Sequence, residues 1–275
     1  MAVQGALARR IRLLLADVDG TLLTPDKVLT ARARQAVARW QAAGLAFAIT
    51  SGRPPRGMRS VAEPLAVTTP MAGFNGGVIV APDQSVMAAR YLAAAMVEVT
   101  LRTLRDHGLD VWVYAGDDWH VGRADAPHVA REAATVGFDP IVDDGATAAR
   151  PRVVKLVGVS DDAARMTAAE AAMQAALGDG ATVVRSQPYY LDITHKDANK
   201  GGVVQFLARH YGLDPEEIAT IGDQANDIAM FRASGLGIAM GNADDRVREA
   251  AHMVTEGNTE DGFAAAVETL LRVRE

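Results

Sequence analysis

The beginning of the chain contains two short apolar runs separated by one helix-like stretch, and this arrangement constrains the fold most strongly. Residues 11–16 and 45–50 have the length and composition of buried strands. Residues 31–43 between them resemble a helix, with Thr30 as a candidate N-cap and Gly44 as the residue that ends it. A strand, a helix and a strand at this spacing form a parallel pair with a crossover helix. We therefore predict an α/β fold with a Rossmann-like, doubly wound parallel sheet.

The pattern changes between residues 82 and 187. Two short strand-like runs flank the sequence Gly-Asp-Asp at residues 116–118, which is typical of a hairpin turn. Alternating strands and helices of the first type return after residue 187. We therefore expect a discontinuous Rossmann-like core, formed by residues 1–81 and 188–275, and an inserted α+β domain, the cap, formed by residues 82–187.

Composition and charge narrow the range of partners. The chain has 275 residues, contains no cysteine and carries a formal net charge of −6, with its basic residues dispersed along the sequence. Disulfides and thiolate metal sites are thereby excluded, and no general attraction to nucleic acid is expected. No apolar run reaches the ~18 residues of a membrane span, and the run that ends at Asp17 is too short for a signal peptide. We expect a cytoplasmic protein that binds no membrane and no nucleic acid and has no obligate protein partner.

Four polar segments stand out from this background. Residues 17–21, with the sequence Asp-Val-Asp-Gly-Thr, follow the first apolar run, and Ser51 and Gly52 follow the second. Lys200 opens a predicted helix, and residues 223–227 follow another predicted strand. Taken singly, a hairpin turn, a turn after a strand, an exposed lysine and a helix cap would account for them. Because the carboxyl ends of parallel strands lie at one edge of a sheet, we expect the four segments to converge in one crevice.

Such a crevice would bring together several carboxylates, a hydroxyl group and one ammonium group. Carboxylates that lie close together repel one another and raise each other's pKa unless a cation lies among them. A set of oxygen ligands favours Mg²⁺, which binds through one or two carboxylates together with the phosphate of a substrate. The residues themselves therefore favour a Mg²⁺ site, and phosphoryl transfer fits this set of groups.

In this order and setting, the four segments resemble the motifs of the haloacid dehalogenase superfamily, and within it those of the Cof-like sugar-phosphatase branch. Residues 17–21 match the first motif, Ser51 the second, Lys200 the third and residues 222–227 the fourth. Further signatures of the branch stand at residues 75–76, 241–243 and 260–262. The resemblance covers nearly the whole chain, and it implies a phosphatase with a Rossmann-like core and a mobile cap.

The resemblance also implies a role for each matched residue. Asp17 would attack phosphorus and form an aspartyl-phosphate, and Asp19 would protonate the leaving alcohol and later accept a proton from water. Ser51 and Lys200 would hold the phosphoryl oxygens. The implied substrate-binding residues are Ser51, Gly52, Arg53, Asn75 and Lys200. The implied Mg²⁺ ligands, together with the residues that orient them, are Asp17, Asp19, Asp223, Asn226 and Asp227.

Several alternatives stay open in the sequence. Thr50 is an alternative to Ser51 in the second motif, and Lys196 is an alternative to Lys200 in the third. A phosphomutase or another phosphotransferase would use the same aspartyl-phosphate chemistry with a different acceptor. A signalling module that accepts a phosphoryl group also uses an aspartate, a hydroxyl residue and a lysine, although Asp19 and the large insertion argue against it. The favoured interpretation is a Mg²⁺-dependent phosphatase that hydrolyses small phosphorylated metabolites, such as sugar phosphates.

Overall fold

The computed structural model describes residues 9–143 and 150–274, and these residues form two compact units. The first unit contains the described residues up to residue 52, residues 58–87 and the described residues from 199 onward. The second unit contains residues 53–57 and the described residues between 88 and 198. Among the described residues, no helix has the length and apolar composition needed to cross a membrane.

Strands and helices alternate along most of the chain. In chain order the strands are β1 (Leu13–Asp17), β2 (Ala46–Thr50), β3 (Met71–Gly73), β4 (Val78–Val80), β5 (Val86–Ala89), β6 (Asp110–Ala115), β7 (Asp118–Val121), β8 (Ile141–Val142), β9 (Val153–Val159), β10 (Ala181–Gln187), β11 (Tyr190–His195), β12 (Ile218–Gly222), β13 (Leu236–Ala239) and β14 (Met253–Val254). The α-helices are α1 (Ala31–Ala42), α2 (Arg59–Ala62), α3 (Ala94–Asp106), α4 (Val129–Val136), α5 (Ala163–Leu177), α6 (Lys200–Tyr211), α7 (Ile228–Ala233), α8 (Asp245–Glu249) and α9 (Gly262–Arg272).

The larger sheet has the strand order β14-β13-β12-β1-β2-β3-β4-β5. Its strands from β14 to β3 pair in parallel, and β4 then pairs antiparallel with β3. β1 is buried along its whole length, as expected for a central strand of a parallel sheet. The register places Asp17, the last residue of β1, level with Thr50, the last residue of β2. The predicted α/β fold with a parallel sheet is confirmed.

Helix α1 shows how the sequence determines the ends of these elements. Thr30 is its N-cap, and the threonine hydroxyl accepts a hydrogen bond from the backbone N–H of Ala33 at 3.1 Å. Gly44, with a φ of +76°, lies just beyond its end. The helix packs against β2 and α9. Its buried residues recur at helical spacing and are Ala33, Ala36, Val37 and Trp40.

The second unit is built on a sheet with the strand order β10-β11-β9-β6-β7-β8. β6 and β7 form a hairpin in which Ala115 pairs with Asp118 across a two-residue turn, as the sequence predicts. One face of the sheet packs against α3 and α5 and forms a hydrophobic core with them. Because side chains alternate along a strand, the residues between these core positions face the other side of the sheet. Prominent among them are Trp112, Tyr114, Lys155 and Asp192.

Candidate active site

Lys200 forms ion pairs with two aspartates at the carboxyl ends of the parallel strands of the larger sheet. Its ammonium group donates to Oδ1 of Asp17 at 2.6 Å and to Oδ1 of Asp227 at 2.5 Å, and all three side chains are buried. Asp17 ends β1, whereas Lys200 opens α6 directly after its N-cap, Asn199. Three of the four predicted polar segments therefore meet at this point. The alternative lysine, Lys196, is exposed and belongs to the second unit.

Both carboxylate oxygens of Asp227 accept hydrogen bonds. Oδ1 accepts from Lys200, and Oδ2 accepts from the backbone N–H groups of Asp223 and Gln224, each at 2.9 Å. Position 222 must be glycine here, since a Cβ would lie 2.3 Å from Cγ of Asp227. Asp227 therefore fixes both the lysine and the loop that follows β12.

Donors from three separate segments hold Asp223. Its carboxylate accepts hydrogen bonds from Oγ1 of Thr21 at 3.0 Å, from Nε2 of Gln224 at 2.9 Å and from Nδ2 of Asn242 at 3.4 Å. Gly20 has a φ of +84°, and a Cβ at this position would lie 2.2 Å from Oδ2 of Asp223. A residue with a side chain would be strained at this φ, and its Cβ would also clash with the Asp223 carboxylate. Position 20 therefore requires glycine. The hydrogen bond from Thr21 and the close approach of Gly20 therefore hold the first motif against the fourth.

The three aspartates form a compact acidic cluster. One carboxylate oxygen from each of Asp17, Asp223 and Asp227 lies within 4.8 Å of the others. Burial raises the pKa of Asp17 well above its ordinary value, and the neighbouring carboxylates add to this effect although Lys200 opposes it. Burial is also the main cause of the raised pKa of Asp223. Burial alone would lower the pKa of Lys200, but its two carboxylate partners outweigh that effect and raise this pKa, which keeps the ammonium protonated.

This acidic cluster fits a divalent cation. One ammonium group faces three buried carboxylates, so ionisation of all three leaves negative charge without compensation. The ligand atoms on offer are all oxygens, which suits Mg²⁺ better than zinc or copper. Asp227 is the least available ligand, because its Oδ1 is held by the Lys200 ammonium group and its Oδ2 by two backbone N–H groups. The donors to Asp223 are instead neutral side chains, namely Thr21, Gln224 and Asn242.

Asp19 has a more open environment than Asp17. Its side chain is 31% exposed, and its Oδ1 accepts a hydrogen bond from Nζ of Lys27 at 2.6 Å. Among the described residues, the acidic cluster does not include the Asp19 carboxylate. Asp19 therefore has the accessibility that a group exchanging protons with substrate and water requires.

The second motif meets the glycine-rich turn that follows β3. The backbone N–H of Ser51 donates to the carbonyl of Ala72 at 3.0 Å, and the Ser51 carbonyl accepts from the backbone N–H of Asn75 at 2.8 Å. Asn75 has a φ of +57°, and its Oδ1 accepts from Nδ2 of Asn226 at 3.0 Å. A Cβ on Gly52 would lie 3.7 Å from Oδ1 of Asn75. The structure thus brings together four of the predicted site residues.

The remaining predicted residue, Arg53, belongs to the second unit. It is buried there, and its Nη1 donates to the carbonyl of Thr135 at 2.8 Å. Both candidates for the hydroxyl of the second motif, Thr50 and Ser51, are buried at the end of β2.

Asn242 is a residue of this network for which the sequence suggests no role. Its Nδ2 donates to the carbonyl of Gly20 at 3.0 Å, and its Oδ1 accepts from the backbone N–H of Asn258 at 3.0 Å. Asn258 in turn donates through Nδ2 to the carbonyl of Leu23 at 2.9 Å. The signature at residues 241–243 marks the position, but only the structure reveals that it supports the first motif.

Comparisons with known proteins agree with this fold. The family model of haloacid dehalogenase-like hydrolases matches residues 14–267. A pyridoxal phosphate phosphatase of Escherichia coli is 29% identical over 264 residues, which cover 92% of this chain and 96% of that protein. A 5-amino-6-(5-phospho-D-ribitylamino)uracil phosphatase of Bacillus subtilis is 25% identical over 257 residues, 94% of each protein. A haloacid dehalogenase-like hydrolase from Bacteroides thetaiotaomicron has a similar structure, with a TM-score of 0.88 and 29% identity over 94% of this chain and 99% of that chain.

Proposed function

The chain belongs to the haloacid dehalogenase-like hydrolase family, and we propose that it is a Mg²⁺-dependent phosphatase of small phosphorylated metabolites that works through an aspartyl-phosphate. Its family and its relatives named as phosphatases make it a phosphoric monoester hydrolase, as predicted from the sequence. The observation that carries the mechanistic proposal is the contact of Asp17 with Lys200, beside two further buried carboxylates.

The carboxylates of Asp17 and Asp223 would hold the metal. The resemblance to the family implies that the backbone carbonyl of Asp19 would be a further ligand. Asp227 would orient these ligands, because its oxygens already accept hydrogen bonds from Lys200 and two backbone N–H groups. Asn226 would have a similar supporting role. When bound, Mg²⁺ would neutralise the negative charge that the carboxylates share with the phosphate group.

Asp17 is proposed as the nucleophile of the first half-reaction. One of its carboxylate oxygens attacks phosphorus, a bond between Asp17 and phosphorus forms, and the ester bond to the alcohol breaks. Lys200 and Ser51 hold the phosphoryl oxygens, with the backbone of Gly52 and the side chain of Asn75 nearby, because the charge on these oxygens must be balanced during transfer. Asp19 gives its proton to the leaving alcohol oxygen.

Asp19 acts as the base of the second half-reaction. It accepts a proton from a water molecule whose oxygen attacks phosphorus, the bond between Asp17 and phosphorus breaks, and inorganic phosphate leaves. Asp17 returns to its carboxylate form and Asp19 to its protonated form, so the enzyme is ready for another turnover.

We expect Asp19→Asn to lower kcat/KM for alkyl phosphates by about 10²- to 10⁴-fold, which is the usual contribution of general acid–base catalysis. This constant covers the steps up to release of the alcohol, so it excludes the later hydrolysis in which Asp19 acts as the base. The amide keeps the shape of the side chain but cannot exchange the proton. The loss should be smallest with p-nitrophenyl phosphate, because its leaving group departs without a proton. Steady-state kinetics with both kinds of substrate measures the difference, and Asp26→Asn, an exposed aspartate on the same loop, is the matched control. An equal loss with both substrates would contradict the role as an acid.

We propose that the second unit acts as the cap and recognises the part of the substrate other than phosphate. The motifs of the first unit deal with phosphate, metal and protons, which all phosphate esters share. Within the second unit, Lys155 and Asp192 form an ion pair with an N–O distance of 2.6 Å, and Tyr114 donates to Glu132 at 2.9 Å. Oδ1 of Asp192 has no hydrogen-bond partner among the described residues. This polar cluster offers donors and acceptors for the hydroxyl or ring-nitrogen groups of a metabolite.

We expect Lys155→Met to change the ranking of kcat/KM among phosphate esters by about tenfold or more, since a site built to bind polar groups discriminates strongly against substrates that lack them. Labelling of Asp17 with beryllium fluoride should be unchanged. The matched control is Arg185→Met, which breaks the ion pair with Glu170 (2.8 Å) beside α5, on the other face of the same sheet. A substrate ranking that stays fixed in Lys155→Met, or that shifts equally in the control, would contradict the recognition role.

The proposed function is tested by a panel of phosphorylated metabolites, each assayed for phosphate release with and without Mg²⁺. The panel contains hexose phosphates, nucleoside monophosphates and pyridoxal 5′-phosphate, the last because a relative is named for it. A phosphomutase or phosphotransferase would instead move the phosphoryl group to a second metabolite, so each assay also measures transfer to an added sugar. A signalling module would keep the phosphoryl group on Asp17 without turnover. The cytoplasmic location and the absence of an obligate protein partner stay predictions from the sequence.

A further inference from the structure

Lys27 is a charged residue beside the first motif that the mechanism above does not use. It lies in a tight turn between Thr24 and Val28. The backbone N–H of Lys27 donates to the Thr24 carbonyl at 2.9 Å, and the backbone N–H of Thr24 donates to the Val28 carbonyl at 3.1 Å. The backbone N–H of Val28 donates to Oγ1 of Thr24 at 3.2 Å. The turn is therefore closed by hydrogen bonds that do not involve the lysine side chain.

Backbone contacts direct Lys27 towards Asp19. Leu23, which precedes the turn, forms bridges with both Asp19 and Leu29, and its carbonyl accepts a hydrogen bond from Nδ2 of Asn258 at 2.9 Å. Lys27 itself has a φ of +61°, a conformation that few residues other than glycine and asparagine adopt. In this conformation its Nζ lies 2.6 Å from Oδ1 of Asp19.

The contact between Lys27 and Asp19 is poorly suited to stabilising the fold. The two side chains are 48% and 31% exposed, and ion pairs with this exposure contribute little to folding. An ammonium group can nevertheless hold one carboxylate oxygen in place, because it is a compact charge with three donors. Such control of orientation matters for proton transfer, which requires the Asp19 oxygen to lie within hydrogen-bond reach of the ester oxygen.

We propose that Lys27 is a positioning residue that orients the carboxyl group of Asp19 for proton transfer to the leaving group. This inference rests on the proposed function, because it requires that Asp19 exchanges protons with the substrate. In this view the Lys27 side chain alone, among the residues of the turn, serves catalysis, and it acts only through Asp19. Its loss should slow proton transfer and leave phosphate binding unaffected.

The test compares Lys27→Met with wild type on two substrates. These are the alkyl phosphate of the panel that wild type hydrolyses fastest and p-nitrophenyl phosphate, whose leaving group needs no proton. We expect kcat/KM for the alkyl phosphate, which covers the steps up to release of the alcohol, to fall by about tenfold or more, the size of effect that misorientation of a reacting group produces. The kcat/KM for p-nitrophenyl phosphate should fall much less. Lys27→Arg, which retains a cation that can reach the carboxylate, should restore most of the loss.

A double-mutant cycle separates positioning of Asp19 from other effects. In an Asp19→Asn background, Lys27→Met should cause no further loss, because the proton-transfer group is already gone. Asp26→Asn, next to Lys27 on the same turn, should behave as wild type and controls for disturbance of the loop. The inference is overturned by equal losses of kcat/KM with both substrates or by additive losses in the double variant. A wild-type protein that releases phosphate from no panel member would instead contradict the proposed function.

Discussion

Asp17→Asn is expected to abolish turnover of every substrate while the protein stays folded. The amide has the shape of the carboxylate but is not a nucleophile, so no bond to phosphorus can form. Loss of a catalytic nucleophile lowers kcat by on the order of 10⁴-fold or more. Because Asp17 starts the reaction with any phosphate ester, the loss should not depend on the leaving group, which distinguishes it from the loss expected for Asp19→Asn.

The stability of Asp17→Asn provides its control. Folding raises the pKa of Asp17, so the folded protein binds the proton of this carboxyl group more tightly than the unfolded chain does. In the metal-free protein, the ionised carboxylate therefore lowers the free energy of unfolding at pH values above its raised pKa. Protonation of Asp17 removes this effect as the pH falls through that pKa. The asparagine variant lacks this unfavourable charge but also removes one of the two carboxylate partners of the buried Lys200, so its melting temperature at neutral pH should stay close to that of metal-free wild type. Appreciable Mg²⁺-dependent turnover by the folded variant would contradict the assignment of Asp17 as nucleophile.

Removal of divalent metal is expected to lower turnover about as strongly as Asp17→Asn does. Chelation should stop phosphate release, and added Mg²⁺ should restore it, since three buried carboxylates and the phosphate of a substrate share one ammonium group. Ca²⁺ should bind but support little turnover, because a larger ion with flexible coordination can draw Asp17 out of line with phosphorus. Phosphate release measured across a series of metal concentrations tests both statements.

Thermal melting gives a second measurement of the metal site that does not depend on activity. A cation that binds only the folded protein raises the melting temperature as its concentration increases, and relief of the repulsion among Asp17, Asp223 and Asp227 provides the driving force. Asp223→Asn should weaken this response. Asp245→Asn, an exposed aspartate at the start of α8, should leave it unchanged. Full activity in chelator, or equal activity in Ca²⁺ and Mg²⁺, would contradict the Mg²⁺ assignment.

Residues at the ends of strands could be predicted because their positions follow from local patterns. An apolar run of strand length ends at Asp17, and parallel pairing places the end of each strand beside the end of its neighbour. The same reasoning brings Asp223 and Asp227 to this edge, since they follow β12. The place of Lys200 in the site could be predicted because it lies at the start of a predicted helix and is third in the order of the four motifs. The family predicted from these motifs is confirmed.

Contacts between distant segments could not be predicted in this way. The hydrogen bond from Asn242 to Gly20 joins residues that are 222 positions apart, and it depends on how two loops pack in the folded chain. β3 has only three residues, which is too few to show a strand periodicity. The contact between Lys27 and Asp19 depends on a left-handed backbone conformation at a lysine, for which the sequence contains no glycine or asparagine as a signal.

The aspartyl-phosphate on Asp17 distinguishes the proposed mechanism from direct attack of water on the ester, and this species can be trapped chemically. The enzyme is mixed with Mg²⁺ and its best substrate, quenched within one turnover and treated with borohydride, which reduces an acyl phosphate to an alcohol and so converts a phosphorylated aspartate into homoserine. Peptide mass spectrometry then identifies the modified position. We expect homoserine at position 17, only in samples that contain both substrate and Mg²⁺, and none in Asp17→Asn. Turnover without homoserine at position 17, or homoserine at another aspartate, would contradict the mechanism.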